Sequence, residues 1–144
     1  MRFIALFLLT IVCQSCFLFS DFRKTEVSLD GHTVKTIVPK KFTKAPVEVD
    51  SLGNLIQYLH YPDGSLLYFA LLKDTTTQLQ TINYKDNIAK ELYHTIFFKG
   101  LDSLNHFWRE TRFGKYRAGY KNVNEEDEGN FDSSINYFSR HVQR

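Results

Sequence analysis

The chain has 144 residues, and its 18 lysines and arginines against 16 aspartates and glutamates give a formal net charge of +2. This balance argues against a nucleic-acid-binding surface, for which a clustered basic stripe is expected. The sequence contains no glycine-rich phosphate loop, so no nucleotide partner is expected, and its five histidines do not have a metal-binding spacing. We therefore predict no cofactor and no metal.

The first 20 residues contain the pattern of an export signal. Arg2 supplies a short basic region, and Phe3 to Val12 form an apolar run interrupted only by Thr10. This run is too short for a bilayer core of about 30 Å, which needs roughly 20 helical residues. Gln14 interrupts the apolar stretch that follows, so a cleaved signal is favoured over the alternative, a permanent transmembrane anchor.

The residues after this run fit two cleavage reactions. Cys13 and Ser15 are the small residues that ordinary signal peptidase requires before a cut, and that cut leaves Cys16 as the first residue. The same arrangement resembles the lipobox of bacterial lipoproteins, in the loose form found in Bacteroidota. Ser15 matches this pattern, whereas Cys13 and Gln14 depart from the usual leucine and small residue. The resemblance implies a signal peptide over residues 1–15 and acylation of Cys16; the alternative is a secreted soluble protein.

Acylation predicts a membrane partner, because more than one acyl chain on Cys16 gives stable attachment. Residues 16–23 would then be the lipidated cysteine and a short tether, followed by a single domain over residues 24–144. Phe17, rather than an acidic residue, follows Cys16. This favours an outer-membrane protein whose domain faces the periplasm over one exposed on the cell surface. Both cysteines lie in the export segment, so the domain has no thiol.

Turn residues divide most of the domain into predicted strands. Asp30-Gly31 suits a type I′ hairpin turn that pairs Val27 with Val34. The stretch from Pro39 to Pro46 is typical of a crossing loop because it holds two prolines and three lysines. Further strands are predicted over Val47–Asp50, Leu55–Tyr61, Leu66–Leu72, Gln78–Tyr84, Leu92–Phe98, His106–Arg112 and Lys115–Lys121. A four-residue match between Val49–Leu52 and Leu101–Leu104 indicates either a duplicated strand-turn unit or chance.

The last segment predicts an amphipathic helix. Asn124 can cap it, and the acidic residues from Glu125 to Glu128 suit the positive end of the helix dipole. One face carries the apolar stripe of Phe131, Ile135, Phe138 and Val142. The predicted fold class is α+β, a mostly antiparallel twisted sheet of about six to eight strands, built from meander hairpins, with this C-terminal helix packed on it.

The hairpin around Phe113-Gly114 carries the candidate binding residues. A two-residue turn there would pair Trp108 with Gly119 and place several cations around the tryptophan. Such a surface suits anionic or sugar groups, because an aromatic face stacks and arginine clamps. The predicted binding surface consists of His106, Trp108, Arg112, Lys115, Arg117 and Lys121. In the alternative interpretation, Trp108 only covers Gly119 and the charged residues keep the sheet soluble.

These observations favour a non-enzymatic, lipid-anchored module that binds a protein or glycan of the cell envelope. No catalytic residue is assigned. One alternative is a small envelope hydrolase that uses His106 with Asp102 or Glu110, and a deep pocket joining these side chains would favour it. The other alternative is a structural subunit of an envelope assembly.

Overall fold

The computed structural model describes residues 21–74, 88–92 and 95–142, with residues 88–92 given by their backbone alone. These residues form nine strands and one helix, which confirms the predicted α+β class. The export segment and the strand predicted over Gln78–Tyr84 lie outside them. The elements are β1 (Phe22–Leu29), β2 (His32–Pro39), β3 (Thr43–Val49), β4 (Leu55–His60), β5 (Leu66–Leu71), β6 (Ile88–Leu92), β7 (Thr95–Leu101), β8 (Phe107–Phe113), β9 (Tyr116–Val123) and α1 (Glu125–Val142).

Seven of these strands form one antiparallel sheet in the order β3-β4-β5-β9-β8-β7-β6. Two meanders, β3 to β5 and β6 to β9, therefore join where β5 pairs with β9 and Tyr68 lies opposite Gly119. Partnered residues in an antiparallel ladder share a face, so this junction assembles side chains from both halves of the domain on one surface.

The first two strands form a separate two-stranded hairpin. Asp30 and Gly31 have φ angles of 52° and 75°, the positive values that a type I′ turn requires. Val27 lies opposite Val34, as the sequence predicts. β1 begins at Phe22, so the last two residues assigned to the tether belong to this strand.

The loop predicted from Pro39 to Pro46 is shorter than expected. β3 begins at Thr43 and pairs with β4 up to Lys44, and the ladder then shifts register before Val47. Pro46 falls within that shift, where no N–H group has to be donated to the ladder. β3 is the edge strand of the sheet, which is the position where proline is tolerated.

The two matching tetrapeptides form hairpin turns with the same hydrogen bonds. Asp50 and Asp102 each accept, through Oδ1, the backbone N–H groups two and four residues later, at 2.8 to 2.9 Å. Burial opposes ionisation of these carboxyls, but the hydrogen bonds outweigh it and lower the pKa of both. The match therefore reflects a shared turn conformation.

The turn between β8 and β9 lies one residue later than predicted. Gly114 and Lys115 occupy its centre, and Gly114 takes the positive φ of 58°. Arg112 consequently pairs with Arg117, rather than with Lys115. Each residue of β8 pairs with a residue two positions later in β9 than predicted. Because side chains alternate with a period of two, each one keeps its predicted face as far as the bulge described next.

A β-bulge interrupts the ladder near the end of β9. Lys121 and Asn122 together oppose the single residue Trp108. Asn122 has a φ of 56°, a left-handed conformation that asparagine adopts more readily than most residues. The extra residue reverses the alternation of the strand, so Val123 joins Tyr120 in the core.

The helix and the β1–β2 hairpin pack on one face of the seven-stranded sheet, which we call the helix face. Phe131, Ile135 and Phe138 are buried and Val142 is partly buried against the same core, which confirms the predicted stripe. The Phe138 ring centroid lies 4.5 Å from that of Phe69. Aromatic packing of this kind fixes the helix across the junction of the two meanders.

Candidate functional site

The other face of the seven-stranded sheet, which we call the second face, carries no helix or strand from the described part of the chain. A concave groove of about 370 Å³ crosses it over five adjacent strands. A volume of this order lies within the usual range for small-ligand sites. The residues that line the groove are Glu48, Tyr58, His60, Leu66, Tyr68, Glu110, Arg117 and Lys121.

The floor of the groove is a row of four partnered residues, Tyr58, Tyr68, Gly119 and Glu110. The Tyr68 side chain extends across Gly119, where a Cβ atom would lie only 2.3 Å from the tyrosine hydroxyl oxygen. The missing side chain allows the Tyr68 hydroxyl to donate a hydrogen bond to Glu110 Oε2 at 2.8 Å. Gly119 is therefore required by a close side-chain approach.

Arg117 covers this floor. Its guanidinium carbon lies 5.5 Å from the centroid of the Tyr68 ring, within cation–π range. Its Nη1 atom is 3.8 Å from Glu110 Oε1, which is a loose ion pair, and the side chain remains 25% exposed. Burial, and then the charge of Glu110, raise the pKa of Tyr68 well above its ordinary value. Tyr68 therefore stays a neutral hydrogen-bond donor.

The accessible part of the groove, where the floor ends at Tyr58, combines an aromatic ring with charged groups. The ring centroid of the half-buried Tyr58 lies 6.2 Å from both His60 and Tyr68. Burial, and then the charge of Glu48, raise the pKa of Tyr58, so its hydroxyl also remains protonated. Lys121 and His60 are exposed on the same side of the groove. This part of the groove thus offers hydrogen-bond donors, the Glu48 carboxylate as an acceptor, and the Tyr58 ring.

The structure brings two of the six predicted surface residues into the groove, Arg117 and Lys121. Lys115 is exposed in the turn at one end of the sheet, with its ammonium 5.7 Å from the Tyr116 ring centroid. Arg112 is half-buried opposite Arg117 on the second face. The six residues therefore do not form one site, because some lie near one end of β8 and others near its opposite end, about 20 Å away.

Trp108 does not lie where the sequence predicts. Only 3% of it is exposed, so its ring cannot stack on a ligand from solvent. The predicted pairing with Gly119 is also wrong, because Trp108 lies opposite the bulge and its partner on the other side is Gly100. Tyr68, rather than Trp108, covers Gly119.

The three side chains that the hydrolase hypothesis requires lie in two separate parts of the structure. His106 Nδ1 lies 3.6 Å from Asp102 Oδ2 in the turn between β7 and β8. Glu110 instead accepts a hydrogen bond from the Tyr68 hydroxyl inside the groove. The groove is lined by Glu110 without His106 or Asp102, so it does not join the three side chains of that hypothesis.

Sequence reasoning did not assign the tyrosines and the other groove residues to a site. Tyr58 and Tyr68 are typical strand residues, and their position follows from the pairing of β5 with β9. The one usable signal was Gly119, since a glycine within a strand often marks a close approach by another group.

Within the described ranges, no set of three or more histidine, cysteine, aspartate or glutamate side chains could hold a metal ion. The helix found in these ranges is not long and apolar enough to cross a membrane. Comparisons with protein-family models, with curated proteins and with solved structures find no match to this chain.

Proposed function

We propose that the protein is a lipid-anchored, non-enzymatic binding module of the bacterial cell envelope that holds an envelope protein or glycan in the groove. The observation that supports this role most directly is the concave groove on the second face, with its tyrosine rings, Arg117 and Lys121. Pockets that combine a ring with a few convergent polar groups are typical of binding sites.

The proposed anchor is the acylated Cys16, which would attach the domain to the outer membrane on its periplasmic side. Asp21, whose carbonyl accepts the N–H of Lys40 at 3.0 Å, is the first described residue of the domain. The five peptide units between Cys16 and Asp21 span at most about 18 Å, whatever their conformation. The acylated protein would therefore keep the start of β1 close to the lipid headgroups.

The anchor is tested by metabolic labelling with palmitate in a Gram-negative host. We expect the wild-type protein to incorporate the label and to fractionate with membranes, because the acyl chains partition into the bilayer. The Cys16→Ala variant should lose the label, whereas Cys13→Ala should retain it as the matched control. Label that survives Cys16→Ala would contradict acylation at this residue.

The groove is tested by retention of detergent-solubilised envelope material on immobilised protein. We expect the wild type to retain a defined component and the His60→Ala/Lys121→Ala variant to retain at least fivefold less. Both residues are exposed, so the variant should fold normally. The matched control, His32→Ala/Lys35→Ala, removes the same residue types from two exposed positions of β2 and should bind as the wild type does.

Two outcomes would contradict the proposal. Equal retention by both double variants would place binding outside the groove. If the wild type retains nothing from the envelope but co-purifies in fixed stoichiometry with an assembly in intact cells, the alternative of a structural subunit would replace the binding module.

A further inference from the structure

We propose that the ligand of the groove is an acidic saccharide, whose anionic group binds between Arg117 and Lys121 and whose sugar ring lies on Tyr58. This inference rests on the proposed binding function and assigns its ligand class. It follows from the distribution of charge, ring surface and volume along the groove.

The anion position is defined by β9. Arg117, Gly119 and Lys121 are alternate residues of one strand and therefore point to the same face. Gly119 has no side chain, so a gap whose floor is the Tyr68 side chain separates the two cations along the strand. Within the described residues Arg117 forms one long ion pair, with Glu110, and Lys121 is exposed. Arginine and lysine with unused donors bind carboxylates and phosphates.

The remaining groove suits hydroxyl groups better than a second anion. Two strands away, the half-buried Tyr58 offers a ring and a protonated hydroxyl, with His60 beside it. Glu48 on the edge strand carries a negative charge close enough to raise the pKa of Tyr58. A carboxylate there repels a second anion, whereas it accepts hydrogen bonds from sugar hydroxyls.

The dimensions favour a short saccharide over a protein surface. From β9 to β3 the groove crosses three strand spacings, which amount to about 14 Å. This length exceeds a single sugar ring. A cavity of about 370 Å³ is of small-ligand size, whereas a stable protein interface buries about 800 Å² on each partner and is usually flatter.

The experiment is calorimetric titration of the wild-type domain with a trigalacturonate that keeps one free carboxylate because its other two carboxyls are methyl esters, with the neutral maltotriose and with inorganic phosphate. Trigalacturonate carries the proposed anionic group on a sugar ring, so it should bind at least tenfold more tightly than either of the other two probes. Its affinity should fall as the salt concentration rises, because the ion pairs between its carboxylate and the two cations are partly exposed to solvent.

Variants locate the site of binding. Lys121→Ala should weaken trigalacturonate about tenfold without a change in melting temperature, because Lys121 is exposed. Lys115→Ala, which removes an exposed lysine of the same strand hairpin outside the groove, should bind as the wild type does. Tyr58→Leu should weaken trigalacturonate and leave the salt dependence unchanged, because it removes the ring and no charge.

Three results would overturn the ligand class. They are equal affinity for maltotriose and trigalacturonate, displacement of trigalacturonate by phosphate at equal concentration, and wild-type affinity in Lys121→Ala. If the domain does not bind trigalacturonate but still retains an envelope protein through His60 and Lys121, the saccharide assignment fails and the proposed binding function stands.

Discussion

Replacement of Gly119 by alanine is expected to lower the free energy of unfolding by about 3 kcal/mol, at the upper end of the cost of overpacking. The new Cβ would lie 2.3 Å from the Tyr68 hydroxyl oxygen and 2.4 Å from the backbone carbonyl oxygen of Arg109. A side chain and a neighbouring strand would both have to move. The measurement is the urea midpoint of unfolding.

The same substitution at Gly129 provides the matched control. Gly129 lies in α1, and a Cβ there would meet no atom within 4 Å. Alanine should therefore raise the free energy of unfolding by about 0.5 to 1 kcal/mol, since glycine loses more backbone entropy in a helix. The contrast between the two variants isolates the crowding at Gly119. Similar midpoints for Gly119→Ala and the wild type would refute the close packing of Tyr68.

Removal of the Asp132 carboxylate is expected to lower the free energy of unfolding by about 2 kcal/mol, less than for a fully buried pair because the Asp132 side chain stays 24% exposed. Asp132 Oδ1 accepts hydrogen bonds from Arg109 Nη1 at 2.8 Å and from the Tyr120 hydroxyl at 3.0 Å. Lys99 binds Oδ2 at 3.1 Å. In Asp132→Ala the Arg109 side chain, only 11% exposed, would lose its charged partner on the helix and keep the hydrogen bond from Nη2 to Asn136 Oδ1 at 3.2 Å.

Glu126→Ala is the control on the same helix. Glu126 is exposed in the first turn, so its loss removes only a favourable interaction with the helix dipole, worth about 0.5 kcal/mol. Both variants are compared by chemical denaturation at neutral pH. If Asp132→Ala is no less stable than Glu126→Ala, the network between α1 and the sheet does not hold the helix in place.

The contribution of Asp132 should disappear in acid. Burial alone would raise the pKa of this carboxyl, but the hydrogen bond and charge of Arg109, followed by those of Lys99, lower it below the ordinary value of 3.8. A depressed native pKa adds stability above the unfolded pKa, and this stability is lost as the pH falls through the native value. The difference between the wild type and Asp132→Asn should therefore shrink below about pH 3.8.

Local signals predicted the local structure correctly. The Asp30-Gly31 turn set the register of the first hairpin, because only a few residues adopt its positive φ angles. The spacing of Phe131, Ile135 and Phe138 identified the buried side of the helix. Arg109 lies on the core side of its hairpin, where Asp132 of the helix pairs with it.

Long-range pairing was not available from the sequence. Tyr68 meets Gly119 and Glu110 because β5 pairs with β9, after the chain has crossed to the far edge of the sheet and returned. Strand propensity is similar for many possible partners, so it does not select among them. The bulge opposite Trp108 was also missed, since the residues around it carry no local signal of the extra residue that reverses the alternation of β9.

The sequence by itself determined the α+β class, the first hairpin and the buried stripe of the helix, because turn chemistry and periodicity act over a few residues. The export signal and the acylation of Cys16 remain predictions. Only the tertiary structure decided that Trp108 is buried and that Tyr58, Tyr68, Arg117 and Lys121 share a groove. The physical reason is that the groove combines side chains from five strands, and their order depends on the packing of the whole core.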